Sequence, residues 1–210
     1  MNKTPKIVIL LSTFNGADYL AEQLDSLLKQ TYTNFIIIIR DDGSTDDTKN
    51  IIKKYVEKNE GKIYELCESF DNVGPSASFC LLIQHVLKKK SSLGLSRAYI
   101  MLCDQDDIWV DTKIEIQITE MLDIEQATRN QPVLIHTDLS VIDAQDKLIS
   151  DSFIKYQGLE IDRNRFTHLV LSNLVTGCTS LFNEELALKA LPIPETVSYT
   201  HLTLPTNREV

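Results

Sequence analysis

Short, uninterrupted apolar runs that alternate with amphipathic segments constrain the fold of this chain more than any other feature. Residues 7–12 (IVILLS) and 35–40 (FIIIIR) carry apolar side chains at almost every position, which is typical of strands covered on both faces. Between them, residues 18–30 repeat leucine at helical spacing. A buried strand, a helix and a second buried strand in succession indicate a parallel sheet with helices on its faces.

The same alternation continues along the first two thirds of the chain. In chain order, the sequence predicts a helix within 41–58, a strand at 62–68, a helix at 75–90, a strand at 97–104, a helix at about 111–128 and a strand at 133–138. We therefore expect an α/β fold with a mostly parallel sheet flanked by helices. After residue 138 the pattern is weaker, and it predicts a hairpin within 141–149, a helix at 166–174 and a strand at 178–182.

Charge and composition exclude several classes of protein. The 210 residues include 30 acidic and 21 basic side chains, so the formal net charge is −9. This balance argues against nucleic acid or an anionic lipid surface as a charge-driven partner. No apolar stretch approaches the roughly 20 residues of a membrane span, and Ile7 to Leu11 is too short for a signal-peptide core, so we expect a cytoplasmic protein. The four cysteines form no CxxC pair, which suggests neither a zinc site nor a redox motif.

Acidic residues concentrate where the predicted strands end. The first strand runs into residues 12–16 (STFNG), the second into 41–47 (DDGSTDD), the fourth into 104–107 (DQDD) and the fifth into 136–138 (HTD). In open parallel sheets, ligands bind in the crevice beyond the carboxyl ends of the strands. Carboxylates on three of these four turns therefore predict a binding site at this edge of the sheet.

A crevice lined with carboxylates favours a bound cation, because neighbouring carboxylates otherwise repel one another. We expect oxygen ligands without a histidine or cysteine nearby, a donor set that favours Mg²⁺ or Mn²⁺. The chain has neither GxGxxG nor GxxxxGK[ST], so a metal would have to bridge the carboxylates to any diphosphate and stabilise its departure. The alternative for residues 104–107 is a solvated loop with an aspartate that caps a helix.

These motifs, considered as a set, resemble family 2 glycosyltransferases of the GT-A fold. The matching segments are STFNG, RDDGSTDDT (40–48), NVG (72–74), CDQDDIW (103–109), HTDL (136–139) and LVTGCTSLFNEEL (174–186). The sequence is most similar to the bacterial rhamnosyltransferase-like branch that assembles surface polysaccharides, and the resemblance extends from residue 6 to about residue 195. It implies a Rossmann-like nucleotide-binding half joined to a smaller acceptor-side region.

The resemblance also implies the residues of the donor site. Asp104 and Asp106 match the DxD motif, with Asp106 at the metal and diphosphate and Asp104 on the ribose side and in the metal site. Phe14 is expected near the face of the base, and Asp42 is expected to hydrogen-bond it. The implied metal is Mn²⁺ or Mg²⁺. The full donor set is Thr13, Phe14, Asn15, Asp41, Asp42, Asn72, Gly74, Asp104 and Asp106.

On the acceptor side, the resemblance implies roles for His136, Asp138 and Gly177. The implied reaction moves a sugar from a nucleotide-diphosphate donor to an acceptor hydroxyl, with inversion at the anomeric carbon. A base deprotonates the acceptor while the metal stabilises the departing diphosphate. The implied acceptor is a saccharide or a lipid-linked saccharide, which would bring the full-length protein into peripheral contact with the inner face of the membrane. No nucleic-acid partner is implied.

The sequence departs from the branch at its C-terminus. Members usually continue from the LPIPE segment, here 191–195, into an Asp-Trp segment whose aspartate is the expected base. Here no aspartate follows Asp162, and the single tryptophan is Trp109. We therefore expect the base to be missing and turnover to be poor. The expected division is a nucleotide-sugar-binding half at 1–138, a partial acceptor-side region of the same domain at 139–195, and a non-family tail without stable structure at 196–210.

Two other functions fit an acidic site at strand ends. A phosphatase with a nucleophilic aspartate normally carries its DxD motif after the first strand, whereas this chain has it after the fourth. A receiver-type signalling module with an acidic Mg²⁺ pocket needs a lysine at the end of a late strand, where this chain has HTD. Two residues also have a purely structural interpretation, since Trp109 fits an ordinary core aromatic and His136 a hydrogen-bonded core histidine.

Overall fold

The computed structural model describes residues 4–67, 72–128, 130–159 and 175–192, together with the backbone of residues 208–209. We call residues 4–128 the N-terminal region. Its strands and helices alternate as the sequence predicts, although the third strand is shorter than expected. The elements are β1 (Ile7–Thr13), α1 (Leu20–Leu28), β2 (Phe35–Asp41), α2 (Thr48–Lys58), β3 (Ile63–Glu65), α3 (Pro75–Lys89), β4 (Tyr99–Cys103) and α4 (Lys113–Thr128).

The C-terminal region, residues 130–192, has shorter elements. A 3₁₀ turn at Gly177–Thr179 leads into its last strand and helix. The elements are β5 (Leu134–His136), β6 (Val141–Ile142), β7 (Leu148–Ser150), α5 (Phe153–Tyr156), β8 (Ser180–Asn183) and α6 (Glu184–Ala190), and a final short strand is β9 (Arg208–Glu209).

The main sheet has six strands in the order β3-β2-β1-β4-β8-β5. Strands β1 to β4 pair in parallel, whereas β8 is antiparallel to both of its neighbours. Because β4 and β5 are both antiparallel to β8, β5 runs parallel to β4. The carboxyl ends of β1, β2, β4 and β5 therefore meet at one edge of the sheet, which we call the strand-end rim. The mostly parallel α/β fold predicted from the sequence is confirmed.

Two hydrophobic layers cover the sheet, one on each face. In β1, the side chains of Ile7, Ile9 and Leu11 join the layer beneath α1, α2 and α4, whereas Val8 and Leu10 join the layer beneath α3. All five side chains are fully buried. Burial of each stabilises the fold by roughly 1.5–3 kcal/mol relative to exposure. This two-sided coverage explains why the strand is continuously apolar rather than alternating.

A second, three-stranded sheet in the order β7-β6-β9 lies outside the main sheet. The hairpin predicted within 141–149 is confirmed by the antiparallel β6–β7 pair, whose turn is held by Asp143 Oδ1 accepting from the amides of Gln145 and Lys147. The helix predicted at 166–174 and residues 193–207 of the C-terminal segment lie outside the described residues. Over the described part of the chain, no helix is long and apolar enough to cross a membrane.

Candidate functional site

The loop after β1 is attached to the loop after β2 by side chains of both loops. Asn15 has a left-handed φ of 49°. Its amide donates to Ser44 Oγ at 2.8 Å, and its own Oδ1 accepts from the amide of Thr45 at 2.9 Å. The amide of Gly16 donates to Thr48 Oγ1 at 2.9 Å. These bonds replace the ladder hydrogen bonds that end with the strands, so the two loops form one surface at the strand-end rim.

Asp46 extends this attachment to the first residue of α2. Its carboxylate accepts from the amide of Ala17 at 3.0 Å and from the amide of Thr48 at 3.1 Å. Desolvation raises the pKa of Asp46, but the hydrogen bonds from Thr48 and Ala17 outweigh it, so the pKa lies below its ordinary value. The carboxylate is therefore ionised at neutral pH and holds the amides of Ala17 and Thr48.

Asp41 ends β2 beside Thr13, its register partner in β1. It is buried, and its Oδ2 accepts from the amides of Gly43 and Ser44 at 3.2 and 3.0 Å. Thr13 Oγ1 lies 3.3 Å from Asp41 Oδ1. The pair lines the base of the rim between the first two strands, and Asp41 shapes the turn that carries Ser44.

Asp42 connects the rim to the loop before α3. This carboxylate is 3% exposed, and its Oδ1 accepts from Arg40 Nη1 at 2.5 Å and from the amide of Val73 at 2.9 Å. Its Oδ2 accepts from the amide of Gly74 at 2.8 Å. Arg40 is itself 1% exposed and also donates to Ser78 Oγ at 2.9 Å. The buried ion pair therefore fixes the segment that contains Asn72 and Gly74 against the end of β2.

The DQD loop, residues 104–106, leaves β4 directly beside the loop after β1, because Leu11 and Cys103 are register partners. Asp104 and Asp106 are half-buried at the rim. Gln105 reaches across to Phe14, where its Oε1 accepts from the backbone amide at 2.9 Å and its Nε2 donates to the carbonyl at 3.2 Å. The Phe14 ring is 45% exposed, so it is available to a ligand in the crevice.

The structure places a cysteine near the expected metal site. Ligand atoms of Asp104, Asp107 and Cys178 lie within 4.8 Å of one another, a group that does not include Asp106. The sequence predicted oxygen ligands without a cysteine nearby, whereas the described residues bring the thiol of Cys178 close to Asp104. The physical reason is the antiparallel insertion of β8 beside β4, which brings the 3₁₀ turn containing Cys178 to the rim. Two carboxylates suit Mn²⁺ or Mg²⁺, whereas a thiol is a soft donor that neither of these ions favours.

A cavity of about 230 Å³ opens beside this cluster, between α4 and the ends of β5 and β8. Trp109 is buried as expected for a core aromatic, but it also lines the cavity, and its Nε1 has no hydrogen-bond partner among the described residues. Lys113 Nζ lies 4.0 Å from the centre of the Trp109 ring and donates to the Cys178 carbonyl at 2.6 Å. The other lining residues are Asp107, Val110, Thr112, Ile116, Thr137, Asp138, Leu139 and Thr179.

The three residues expected on the acceptor side occupy different environments. His136 is exposed at the end of the edge strand β5, so its interpretation as a hydrogen-bonded core histidine is wrong. Asp138 accepts from Ser152 Oγ at 2.5 Å and from the amide of Leu139 at 2.9 Å. Desolvation raises the pKa of Asp138, but these hydrogen bonds outweigh it and hold the pKa below its ordinary value. Gly177 begins the 3₁₀ turn next to the cavity.

Sequence reasoning missed three contributors to the site. Arg40 had a visible signal, since a lone cation ends an apolar strand immediately before two aspartates. Lys113 and the thiol of Cys178 had no local signal, because their positions depend on α4 and β8 packing beside β4. The structure does bring the donor-side residues to one rim. Gln105 and Ser44 join the loop after β1 to the loops after β4 and β2, and Asp42 joins the loop after β2 to the loop before α3.

With this geometry established, comparison with known proteins identifies the class. Residues 8–182 match the family model described as glycosyl transferase family 2, so the chain belongs to that family and is a glycosyltransferase domain. An uncharacterized glycosyltransferase of Rickettsia typhi is 29% identical over 202 residues, which is 94% of this chain and 56% of the relative. This chain thus spans about half the length of the curated relatives that it matches.

One relative has a named activity. A UDP-Glc:alpha-D-GlcNAc-diphosphoundecaprenol beta-1,3-glucosyltransferase of Escherichia coli is 36% identical over 112 residues, which is 53% of this chain and 39% of that protein. Among solved structures, a mannosyltransferase of Pyrobaculum calidifontis in complex with GDP-Man and Mn²⁺ gives a TM-score of 0.60 at 14% identity, over 93% of this chain and 49% of that one. TarS of Staphylococcus aureus gives a TM-score of 0.54 at 18% identity, over 93% of this chain and 52% of that one. These two likenesses support the GT-A fold.

Proposed function

We propose that this chain carries the donor site of a glycosyltransferase that moves a sugar from a nucleotide diphosphate to an acceptor hydroxyl. The observation that carries the proposal is that the loops after β1, β2 and β4 and the loop before α3 are joined at the strand-end rim, all within the matched residues 8–182. The exposed Phe14 ring would lie against the base, beside the residues that hold its loop. The proposed donor residues are Thr13, Phe14, Asn15, Asp41, Asp42, Asn72, Gly74, Asp104 and Asp106.

Asp104 and Asp106 would hold a divalent ion, Mn²⁺ or Mg²⁺, together with the diphosphate. Half-buried carboxylates at a strand-end crevice fit such an ion, and this donor type suits Mn²⁺ and Mg²⁺ alike. A fold neighbour was solved with GDP-Man and Mn²⁺, which supports a divalent ion here too. When bound, the ion would neutralise charge that develops on the departing diphosphate. The protein's own part is to keep both carboxylates and the base-binding loop in one fixed geometry.

The acceptor would enter from the cavity beside Trp109, on the side of His136, Asp138 and Gly177. Attack by its hydroxyl from this side, opposite the diphosphate, would invert the anomeric carbon. We assign no residue as the base. Asp138 is a poor candidate, because the hydrogen bonds that lower its pKa also weaken its basicity.

A saccharide or lipid-linked saccharide is the acceptor class that we propose, in the synthesis of a bacterial surface polysaccharide at the inner face of the membrane. The E. coli relative, whose name includes a diphosphoundecaprenol-linked sugar, supports this class. Rhamnose as the transferred sugar rests on the motif resemblance. We further propose the division into a donor half at 1–138, an acceptor-side region at 139–195 and a non-family tail at 196–210.

Phosphatase and receiver functions are less well supported. A phosphatase of this class carries its DxD motif after the first strand, whereas this chain has DQD after β4. A receiver module needs a lysine at the end of a late strand, whereas this chain has an exposed His136 at the end of β5. The family match over residues 8–182 adds weight to sugar transfer.

A donor-cleavage assay tests the proposal. The chain is incubated with UDP-, GDP- and dTDP-sugars and Mn²⁺, and release of each nucleotide diphosphate is followed over time. We expect slow release from one nucleotide class that stops in EDTA and in Asp106→Asn, while Asp123→Asn on the outer face of α4 behaves as wild type. Release of inorganic phosphate instead of a nucleotide diphosphate would favour the phosphatase alternative.

A further inference from the structure

The side chain of Gln105 forms a two-point hydrogen-bonded clamp on the loop after β1. Its Oε1 accepts from the Phe14 amide at 2.9 Å, and its Nε2 donates to the Phe14 carbonyl at 3.2 Å. A side-chain amide thus pairs with both polar backbone groups of one residue, as a neighbouring strand would do. It does so beyond the last register pair of β1 and β4, Leu11 and Cys103, where no ladder hydrogen bond joins the two strands.

Glutamine suits this position because the clamp needs a donor and an acceptor at the same time. Glutamate would keep the acceptor but bring a carboxylate against the Phe14 carbonyl, with no proton to donate. Asparagine carries the same amide on a side chain one methylene shorter. The opposite edge of the loop is held by the loop after β2, through Ser44 and Thr48. Gln105 therefore completes the attachment of Phe14 from the side of the DQD loop.

Gly16 leaves space for this clamp. A Cβ built on Gly16 would lie 2.3 Å from Gln105 Oε1 and 2.6 Å from its Cδ. The clashing atoms belong to the far end of a flexible side chain, so Gln105 would swing away rather than force the backbone to move. An alanine at residue 16 should consequently open the clamp while the fold stays intact.

We propose that Gln105 is a positioning residue that fixes the base-binding loop relative to the two aspartates beside it. This inference rests on the proposed function, which gives Phe14 to the base and Asp104 and Asp106 to the metal and diphosphate. One residue then sets the distance between the two halves of the donor site. The middle position of this DQD motif acts through the Phe14 backbone.

Two measurements test the clamp on the whole chain. Hydrogen exchange measures the protection of the Phe14 amide and needs no ligand. Calorimetry with Mn²⁺ measures the affinity of the donor site for UDP, GDP and dTDP. The variants are Gln105→Ala, Gln105→Glu, Gly16→Ala and the Gly16→Ala/Gln105→Ala double variant. Gln84→Ala, an exposed glutamine on α3, is the matched control.

We expect faster exchange at Phe14 in each clamp variant, and melting temperatures close to wild type. The affinity for the nucleotide that binds should fall roughly 5- to 10-fold in Gln105→Ala and in Gly16→Ala, the scale of one or two hydrogen bonds. The affinity of Gln105→Glu should fall at least as far as that of Gln105→Ala, because its carboxylate faces the Phe14 carbonyl. The double variant should be no weaker than Gln105→Ala, because no side chain remains for the new methyl group to displace.

The clamp would be contradicted if the affinity loss of the double variant equalled the product of the two single fold-losses. It would also be contradicted if the Phe14 amide exchanged at the wild-type rate in Gln105→Ala. Wild-type affinity in Gln105→Ala, despite faster exchange, would overturn its positioning role. A wild-type chain with normal Phe14 protection that binds none of the three nucleotides would instead contradict the proposed function. The two failures are therefore distinguishable.

Discussion

The N-terminal and C-terminal regions contribute to the same sheet but are built differently. Strands β1, β2 and β4 have five to seven residues and are buried almost throughout. Strands β5 to β7 have two or three residues, and exposed side chains such as Leu134 and Leu148 lie in them. Because both faces of the first group are buried, its strands can be identified from the sequence alone. In the second group, β6 and β7 form a local hairpin, whereas β5 pairs with the distant strand β8.

The largest expected effect comes from the buried ion pair that anchors the rim. Arg40→Met removes the cation and leaves the carboxylate of Asp42 buried without its partner. We expect a loss of about 3–5 kcal/mol in the free energy of unfolding, measured by urea denaturation. Lys90→Met is the control, because its pair with Glu184 is partly exposed and should contribute less than about 1 kcal/mol. Equal losses in the two variants would contradict the assignment of Arg40 as an anchor.

A matched pair of isoleucine variants compares the two regions directly. Ile37 is fully buried at the centre of β2, and Ile149 in β7 is 48% exposed. Ile37→Ala should lower the free energy of unfolding by about 3 kcal/mol, because it leaves a cavity in the core. Ile149→Ala should change it by less than about 0.5 kcal/mol. Similar losses from the two substitutions would show that the second sheet is as tightly packed as the first.

Asn183 is the point at which the C-terminal region is tied together. Its buried Oδ1 accepts from the amides of Val133 and Leu186, and its Nδ2 donates to Glu125 and to the Gln131 carbonyl. Asn183→Ala removes a helix cap and leaves buried groups without partners, so we expect a loss of about 2–3 kcal/mol. Thermal unfolding measures it. A change below about 0.5 kcal/mol would mean that the backbone pairing of β8 and its packing hold it in place without the Asn183 side chain.

The smallest expected effect is a pH dependence in the C-terminal region. The folded pKa of Asp138 is lowered, so its contribution to stability is present above the ordinary carboxyl pKa of about 4 and is lost as the pH falls through the lower folded value. Wild type should exceed Asp138→Asn by at most about 1 kcal/mol near pH 6, since the group is exposed, and the difference should shrink below pH 4. Denaturant titrations across this range measure it. A constant difference would contradict the shift.

The predictable part of the fold follows from local pattern. The run at 35–40 identifies β2 because every position there is buried, and leucine spacing identifies α1 in the same way. The place of β8 between β4 and β5 could not be predicted, because it depends on pairing across about 80 residues between Tyr99 and Asn183. The exposure of His136 follows from the same long-range arrangement, which leaves β5 at the edge.

The residues of the candidate site likewise fall into two groups, those with a local sequence signal and those without one. Asp104, Asp106 and Asp42 could be found because parallel strands bring their carboxyl ends to a common edge. Cys178 lies near Asp104, and a cavity opens beside Trp109, because β8 pairs antiparallel with β4. No local sequence pattern predicts either feature. The roles of the donor residues remain predictions that binding experiments must test.

The most direct test of the account is calorimetric binding of UDP, GDP and dTDP to this chain, with Mn²⁺ or with EDTA. Asp106→Ala is the test variant, and Asp123→Ala, an exposed aspartate on α4, is its matched control. The account predicts that one nucleotide binds at least about tenfold more tightly with Mn²⁺, a difference of about 1.4 kcal/mol, and that Asp106→Ala alone abolishes the gain. Equal binding in EDTA, or a gain that survives in Asp106→Ala, would contradict the donor site proposed at the strand-end rim.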